Sequence, residues 1–194
     1  MQMTAYNESF ENYNIEHGNF TLSSKASENT LKKIEEKGNV RICENFYRDE
    51  PVDADMDGNE DGTMRIYADR TDMDLVCLMD GKMPATNAEI AIDRMYADNN
   101  SLKIGDKIKI AGEELSVTGL VALSDYSCLF SDNNDMMFDS VKFGVAIMTE
   151  EGAESFGTTH LEYRYAYQYD QEPADDTQAK EMSEDFLEVL VKYE

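Results

Sequence analysis

The stretch that decides the fold is residues 107–121, which read KIKIAGEELSVTGLV. Ile108 and Ile110 alternate with lysines, and Leu115 and Val117 alternate with polar residues after the intervening glycine. Alternation on both sides of a short glycine-containing turn is typical of a β-hairpin with one buried face. This segment is the strongest hairpin signal in the chain, so the middle of the chain is expected to be rich in β-structure.

Short strands and short helices are predicted on either side of this hairpin. Further strands are expected at residues 19–22, 39–48, 63–67, 75–79, 89–92, 142–148 and 160–169. Helices are expected at residues 25–37, 93–99, 150–156 and from residue 175 to the C-terminus. Because strands and helices are mixed rather than strictly alternating, the pattern indicates an α+β fold.

Local signals predict where several of these elements begin and end. The serines at residues 23–24 are candidate caps of the first helix, and Gly38 is expected to end it. Pro51 is expected to stop the strand that precedes it, because proline cannot donate a ladder hydrogen bond. The apolar run at residues 75–79 is expected to form a buried strand.

The charge of the chain restricts its partners. Its 194 residues include 17 Lys plus Arg and 41 Asp plus Glu, a formal net charge of −24. Such a field repels phosphate backbones, so no nucleic-acid partner is expected. The hydrophobic content of 41% and aromatic content of 10% are those of a folded protein. No apolar run approaches the roughly 20 residues of a transmembrane helix, and no signal-peptide pattern is visible, which favours a cytosolic protein or a soluble piece of a membrane protein.

The three cysteines, Cys43, Cys77 and Cys128, lie in apolar or strand-like segments. An odd number leaves at least one of them unpaired, and no Cys-x-x-Cys or neighbouring histidine gives a metal-binding spacing. Because free cysteine is among the most buried residue types, buried and inert thiols are predicted.

An acidic run at residues 51–62 is the best candidate for a metal site. Oxygen-bearing side chains occupy alternate positions of a calcium-loop pattern: Asp53, Asp55, Asp57, Asn59 and Asp61. Gly58 stands at the sixth position, where such a loop turns sharply. The twelfth position is Met64 instead of a bidentate glutamate, so only weak calcium binding is expected. The alternative is a solvated hairpin tip whose charges discourage edge pairing.

No catalytic or cofactor-binding residue is predicted, and the chain is not expected to be an enzyme. His17 and His160 are the only histidines, and neither lies in a nucleophile, zinc or kinase pattern. There is no phosphate-binding G-x-G-x-x-G or Walker A sequence. The alternating tyrosines of residues 163–169 form either a sugar-stacking platform or ordinary cross-strand packing. A carboxylate-based glycoside hydrolase remains an alternative, since carboxylates are abundant.

The order of turns and strands between residues 78 and 121 resembles one protein family. The segments read LMDGKMP at 78–84, EIAIDRMYA at 89–97, LKIGDKIKI at 102–110 and LSVTGLV at 115–121. The matching residues are Gly81, Pro84, Glu89, Gly105, Asp106, Val117 and Gly119. Their order is similar to that in the extracytoplasmic core domain of ABC-transporter permeases of the FtsX/MacB type.

The resemblance implies a non-catalytic extracellular domain of a bacterial membrane permease with a MacB-like periplasmic-core fold. As partners it implies the transmembrane part of the same permease, indirectly a cognate ABC ATPase subunit, and an unknown extracellular substrate or partner protein. ATP would be used by the separate ATPase, so this domain is expected to hold no cofactor apart from the candidate calcium ion. The domain would couple the ATPase cycle to handling or sensing of a lipid, peptide, antibiotic or cell-wall partner.

The expected organisation is a single extracytoplasmic domain over residues 1–194 with two lobes. A porter-like lobe, a mixed β-sheet with flanking helices, would comprise residues 1–50 and 140–194. A β-rich lobe over residues 63–139 would be inserted between them, after the acidic loop 51–62. A free-standing acidic calcium-binding or adhesion module is the main alternative to this interpretation.

Overall fold

The computed structural model describes residues 12–126 and 141–193 and divides the chain into two compact units. The larger unit comprises Phe46–Leu161 together with the residues up to Ile15. The smaller unit comprises Glu16–Asn45 and Glu162–Glu194, so its two segments are separated in sequence by most of the larger unit. The lobe boundaries expected from the sequence remain a prediction, separate from the boundaries of these two units.

The described residues of the larger unit include seven strands and two helices. These are β3 (Tyr47–Asp53), β4 (Gly62–Ala68), β5 (Cys77–Gly81), β6 (Glu89–Asp93), α2 (Arg94–Asn99), β7 (Lys107–Ile110), β8 (Glu113–Ala122), β9 (Phe143–Met148) and α3 (Glu150–Glu154). The pairs β4 with β9 and β6 with β8 are parallel, and the other strand pairs are antiparallel. The sheet of the larger unit is therefore mixed.

The strands of the larger unit pair in a closed ring. Strand β7 pairs with both β8 and β3, which completes the order β3, β4, β9, β6, β8, β7 and back to β3. Strand β5 lies outside the ring and, among the described residues, pairs with β8. Apolar side chains such as Met64, Ile90, Ile108 and Val145 are fully buried in one core. Because the ring is closed, each of its strands has a hydrogen-bonded neighbour on both sides along its paired residues.

The smaller unit is a three-stranded antiparallel sheet with two helices. Its elements are β1 (Gly18–Leu22), α1 (Glu28–Gly38), β2 (Val40–Glu44), β10 (Leu161–Tyr169) and α4 (Asp176–Tyr193). Strand β10 is central and pairs with β1 on one side and β2 on the other. Ile34, Val40, Tyr167 and Phe186 form its buried core. The long alternating strand and the amphipathic final helix predicted from sequence are confirmed.

The ends of α1 differ from the prediction. Its cap is Ser27, whose hydroxyl oxygen accepts a hydrogen bond from the backbone N–H of Thr30. Gly38 remains helical, and Asn39 takes the left-handed conformation with φ of 50°. Gly38 is instead needed for packing, because a Cβ there would lie 2.6 Å from the ring of Phe186.

Three strand predictions are corrected. Pro51 does not stop a strand but lies inside β3, where its carbonyl accepts a hydrogen bond from the N–H of Ala111. The predicted strand at 39–48 is two strands, β2 and β3, which belong to different units. The buried strand predicted at residues 75–79 is instead β5 at Cys77–Gly81, and it is largely exposed: Leu78 and Met79 are 42% and 49% exposed. Among the described residues, β5 pairs with β8 and has no partner strand on its other side.

The tyrosines of β10 pack within the smaller unit. Tyr165 is fully buried and stacks on Phe20 with 5.3 Å between ring centroids. The Tyr167 ring lies 4.5 Å from that of Phe186. Burial of these two rings favours ordinary cross-strand packing over a sugar-stacking platform, which requires exposed ring faces.

None of the helices among residues 12–126 and 141–193 is both long enough and apolar enough to cross a bilayer.

Phe186 is expected to be a main source of stability in the smaller unit. Replacing it (Phe186→Ala) should lower the free energy of unfolding by about 3–5 kcal/mol, because the ring is 3% exposed and its loss leaves a cavity. Urea unfolding monitored by circular dichroism measures the change. The matched control is Leu187→Ala on the same helix, whose side chain is 60% exposed and should change stability little. Equal losses from both variants would contradict this account of the core.

Candidate functional site

The residues that carry the family resemblance meet along one short part of β8, residues 116–119. The N–H of Ser116 donates to the carbonyl of Ala88 at 2.8 Å, and the N–H of Lys82 donates to the carbonyl of Thr118 at 2.9 Å. Between these bonds, the N–H of Gly105 donates to the carbonyl of Val117 at 2.8 Å. Three segments that are separate in sequence are thus bonded to three consecutive residues of one strand, 116–118.

Gly81 and Gly119 face each other across the β5–β8 pair. A Cβ on Gly81 would lie 2.3 Å from the Thr118 carbonyl oxygen, and one on Gly119 would lie 2.5 Å from that of Lys82. Gly81 also has φ of +77°, a conformation that other residues rarely adopt. Both glycines are therefore required by the close approach of two backbones, which is the physical basis of their place in the motif.

Glu89 closes the loop that follows Gly81 and contains the half-buried Pro84. Its Oε2 accepts hydrogen bonds from the N–H groups of Ala85 at 2.7 Å and Thr86 at 3.2 Å. Its Oε1 accepts from Nζ of Lys82 at 3.2 Å. The bond from Ala85, together with the one from Lys82, lowers the pKa of the Glu89 carboxyl below its usual value. The charged carboxylate is therefore the form that holds the loop.

The Gly105–Asp106 turn is held on β8 from the other side. Gly105 has φ of +97°, and the Asp106 Oδ2 accepts a hydrogen bond from the N–H of Lys103 at 2.8 Å. The carbonyl of Asp106 accepts from the N–H of Val117 at 2.9 Å, while the Val117 side chain is 1% exposed in the core. The turn therefore fixes where β7 begins and how it approaches β8.

The acidic loop links β3 to β4 as a hairpin, as predicted. Carboxylate oxygens of Asp53, Asp55 and Asp61 lie within 4.8 Å of one another. The Asp53 carboxylate also accepts hydrogen bonds from the N–H groups of Asp57 at 3.1 Å and Gly58 at 3.0 Å. The loop therefore gathers three of the predicted ligands around one point while its turn is closed by its own backbone.

The remaining predicted ligands have other contacts. Oδ1 of Asp57 accepts hydrogen bonds from the backbone N–H and the side-chain amide of Asn59 at 2.8 and 3.0 Å. Met64, at the position of the missing glutamate, is fully buried in the core of the ring. The structure thus brings together Asp53, Asp55 and Asp61, and it places Asp57 and Asn59 in contact with each other.

The histidines have structural contacts, as expected. Nδ1 of His17 accepts the N–H of Tyr169 at 2.9 Å, and Nδ1 of His160 lies 3.0 Å from Oε2 of the buried Glu50. Cys43 and Cys77 form no disulfide among the described residues and are half-buried, so the prediction of buried thiols is wrong for these two, and Cys128 lies outside the described residues. None of these side chains is paired in a nucleophilic or metal-binding arrangement among the residues described.

Buried ion pairs inside the larger unit had no sequence signal. Arg65 bonds Asp49 with two hydrogen bonds of 2.8 Å, and Arg70 bonds Asp125 at 2.7 and 3.0 Å. The hydroxyl of Tyr126 accepts a further bond from Arg65 at 3.1 Å. Spacing along the sequence could not reveal these contacts, because the partners are brought together only when distant segments fold onto one another.

A cavity of about 520 Å³ lies in the smaller unit. Residues that line it include Lys37, Tyr169, Asp170, Asp185 and Phe186. Glycoside hydrolysis needs a pair of carboxyl groups in a cleft. Replacing Asp170 or Asp185 therefore tests the glycoside hydrolase alternative.

Comparison with known proteins gives structural similarity only. The chain is similar to the extracellular domain of the ABC-type transporter YknZ from Gram-positive bacteria, with a TM-score of 0.48, 12% identity and 92% of each chain covered. It is also similar to the periplasmic region of MacB from Actinobacillus actinomycetemcomitans, with a TM-score of 0.48, 9% identity, and 86% of this chain and 74% of that chain covered. No protein-family model matches the sequence, and no curated protein matches it.

Glu89 is expected to make stability depend on pH. Because its pKa in the folded protein is below the usual value of about 4.3, its contribution is complete above that pH and is lost as the pH falls through the folded-state pKa. Glu89→Gln should lower stability at neutral pH and reduce the stability lost between neutral and acidic pH. Urea unfolding at a series of pH values measures both effects. Glu113→Gln, an exposed position at the β7–β8 turn, is the control, and an equal effect there would contradict the role of Glu89.

Proposed function

We propose that this chain is the extracellular domain of a bacterial FtsX/MacB-like ABC-transporter permease and that it has no catalytic role. The observation that carries the proposal is the convergence of the motif segments on residues 116–119 of β8. Four motif residues hold these segments in place, by close backbone approach, hydrogen bonding or a positive φ: Gly81, Glu89, Gly105 and Gly119. The resemblance thus rests on residues that determine how one part of the fold is built.

The architecture suits a domain that transmits movement. Each of three loops on β8 is fixed by backbone hydrogen bonds, and the strands beneath them form a closed ring. Displacing one loop must break these bonds or move the strand that they share. Closely packed elements of this kind move as rigid bodies rather than deform continuously. We therefore propose that the domain couples the cycle of a separate ATPase to handling or sensing of an extracellular lipid, peptide, antibiotic or cell-wall partner.

The proposed location is the extracellular face of the bacterial cell membrane. The transmembrane part of the same permease would attach the domain, and a cognate ABC ATPase subunit would bind ATP on the other side of the membrane. The net charge of −24 supports this arrangement, since it opposes flat docking on anionic lipid. Anchoring by other parts of the permease would meet that constraint.

The location can be tested with an epitope tag inserted between Gly112 and Glu113 in the complete gene product. This turn is exposed, and a side chain at Gly112 would meet no atom within 4 Å, so an insertion should be tolerated. We expect an antibody to stain intact cells, after removal of an outer membrane where one exists, and the tagged protein to remain in the membrane fraction. An ABC ATPase subunit should co-purify in mild detergent.

Two outcomes would contradict the proposal. Staining that requires permeabilised cells would place the domain in the cytoplasm. Recovery of the tagged protein from the medium without membrane association would favour a free-standing module. A tag on a known cytoplasmic protein controls for cell lysis. Hydrolysis of polysaccharides by the purified chain, lost in Asp170→Asn or Asp185→Asn, would favour the hydrolase alternative.

A further inference from the structure

The cavity of the smaller unit lies where three elements of that unit meet. Its volume of about 520 Å³ is within the range of small-molecule sites in proteins. Its walls are contributed by the end of α1, the end of β10 and one face of α4. The N–H of Asp170 donates to the carbonyl of Asn39 at 2.9 Å, which joins the chain after β10 to the end of α1. Two of the three walls are therefore fixed to each other by the backbone.

Apolar and aromatic side chains form part of the cavity lining. On α4, Met182, Phe186 and Val189 recur at the three- to four-residue spacing of one helix face. The Phe186 ring is buried, and α1 approaches it closely at Gly38, where a Cβ would lie 2.6 Å from the ring. Tyr169 adds a second ring at the end of β10. This part of the lining suits an apolar group of a ligand, because ligand sites combine apolar walls with a few polar groups.

Charges of both signs line the same cavity without pairing with each other. Lys37 contributes an ammonium from α1, and Asp170 and Asp185 contribute carboxylates from the end of β10 and from α4. Within residues 12–126 and 141–193, none of these three side chains forms an ion pair. Opposite charges that surround one cavity without meeting leave room for a ligand that carries both signs itself.

We propose that this cavity binds a short zwitterionic peptide with an apolar side chain. The Lys37 ammonium donates to the terminal carboxylate of the peptide, and Asp170 and Asp185 accept hydrogen bonds from its terminal ammonium. The apolar part of the lining contacts a side chain of the peptide. A ligand with an ammonium alone would leave Lys37 unmatched, and one with a carboxylate alone would face two carboxylates. The inference rests on the proposed function for its biological meaning, since it names a peptide as the extracellular partner of the domain.

Calorimetric titration of the purified 194-residue chain with the dipeptide Leu-Leu tests the site. At the binding energy per atom typical of drug-sized ligands, we expect saturable binding with a dissociation constant of about 10⁻⁴ M. N-acetyl-Leu-Leu lacks the ammonium and Leu-Leu amide lacks the carboxylate, so each should bind about fivefold to tenfold more weakly. No saturable binding of Leu-Leu up to about a hundred times the expected dissociation constant would overturn the proposal. Equal binding of all three peptides would overturn it too.

Lys37→Gln tests the contact with the carboxylate end of the peptide. The variant should bind Leu-Leu about fivefold to tenfold more weakly. Its affinity for Leu-Leu amide should stay within about twofold of the parent chain, because that peptide has no carboxylate for Lys37 to bind. Lys33→Gln is the matched control, since it removes the same charge from an exposed position of α1 that does not line the cavity. Equal losses in the two variants would show a long-range effect of charge and would overturn the site.

The double variant Asp170→Asn and Asp185→Asn tests the contact with the ammonium end. It should bind Leu-Leu about tenfold more weakly and N-acetyl-Leu-Leu no more weakly than the parent chain does. The matched control is Glu184→Gln with Glu188→Gln, which removes two exposed carboxylates of α4 that do not line the cavity. Its affinity should stay within about twofold, because exposed distant charges are screened. An equal loss in the control would show only the general attraction of a chain of net charge −24 for ammonium groups, and would overturn the site.

Folding and location are measured separately from binding. Lys37, Asp170 and Asp185 are exposed, so their polar replacements should leave the circular-dichroism unfolding midpoint nearly unchanged. The two capped peptides test the same contacts with the protein unaltered, so a misfolded variant cannot explain their weaker binding. The epitope-tag experiment decides where the domain lies, and the calorimetry decides what its cavity binds. A surface location without binding of Leu-Leu would overturn this inference alone, whereas binding by a cytoplasmic domain would overturn the proposed function alone.

Discussion

The larger unit depends on the close approach of two backbones at Gly81 and Gly119. Any side chain at either position would overlap a carbonyl oxygen. Without this approach, Lys82 could not donate to Thr118, and the loop that Glu89 closes would lose its attachment to β8. A steric constraint on two residues thus decides how β5 and the loop after it attach to β8.

The placement of charged side chains is the second feature of the larger unit. Two buried arginines of the larger unit, Arg65 and Arg70, are each matched by one carboxylate through paired hydrogen bonds. The acidic loop is the opposite case, since its three clustered carboxylates have no protein cation as partner in the described part of the chain. Much of the net charge of −24 lies on exposed side chains and is solvated. Among the described residues, the acidic loop is the place where three carboxylates lie within 4.8 Å of one another.

Sequence reasoning was most accurate where the pattern is local. The alternation of Ile108 with Ile110 predicted β7, and the helix expected at residues 93–99 is α2, because both depend on neighbouring residues. It failed at Gly38 and Pro51, where the deciding partners are Phe186 and Ala111. Because those partners are distant in sequence, the local pattern around Gly38 and Pro51 predicts the end of a helix or strand.

By itself, the sequence determined the mixed strands and helices, the β3–β4 hairpin with its acidic tip, and the order of turns that resembles a permease domain. These follow from periodicity, turn chemistry and spacing, which act over a few residues. Only the tertiary structure decided the closed ring through β7, the exposure of β5 and the pairing of Gly81 with Gly119. Each of these requires the register of strands far apart in sequence, which long-range packing sets.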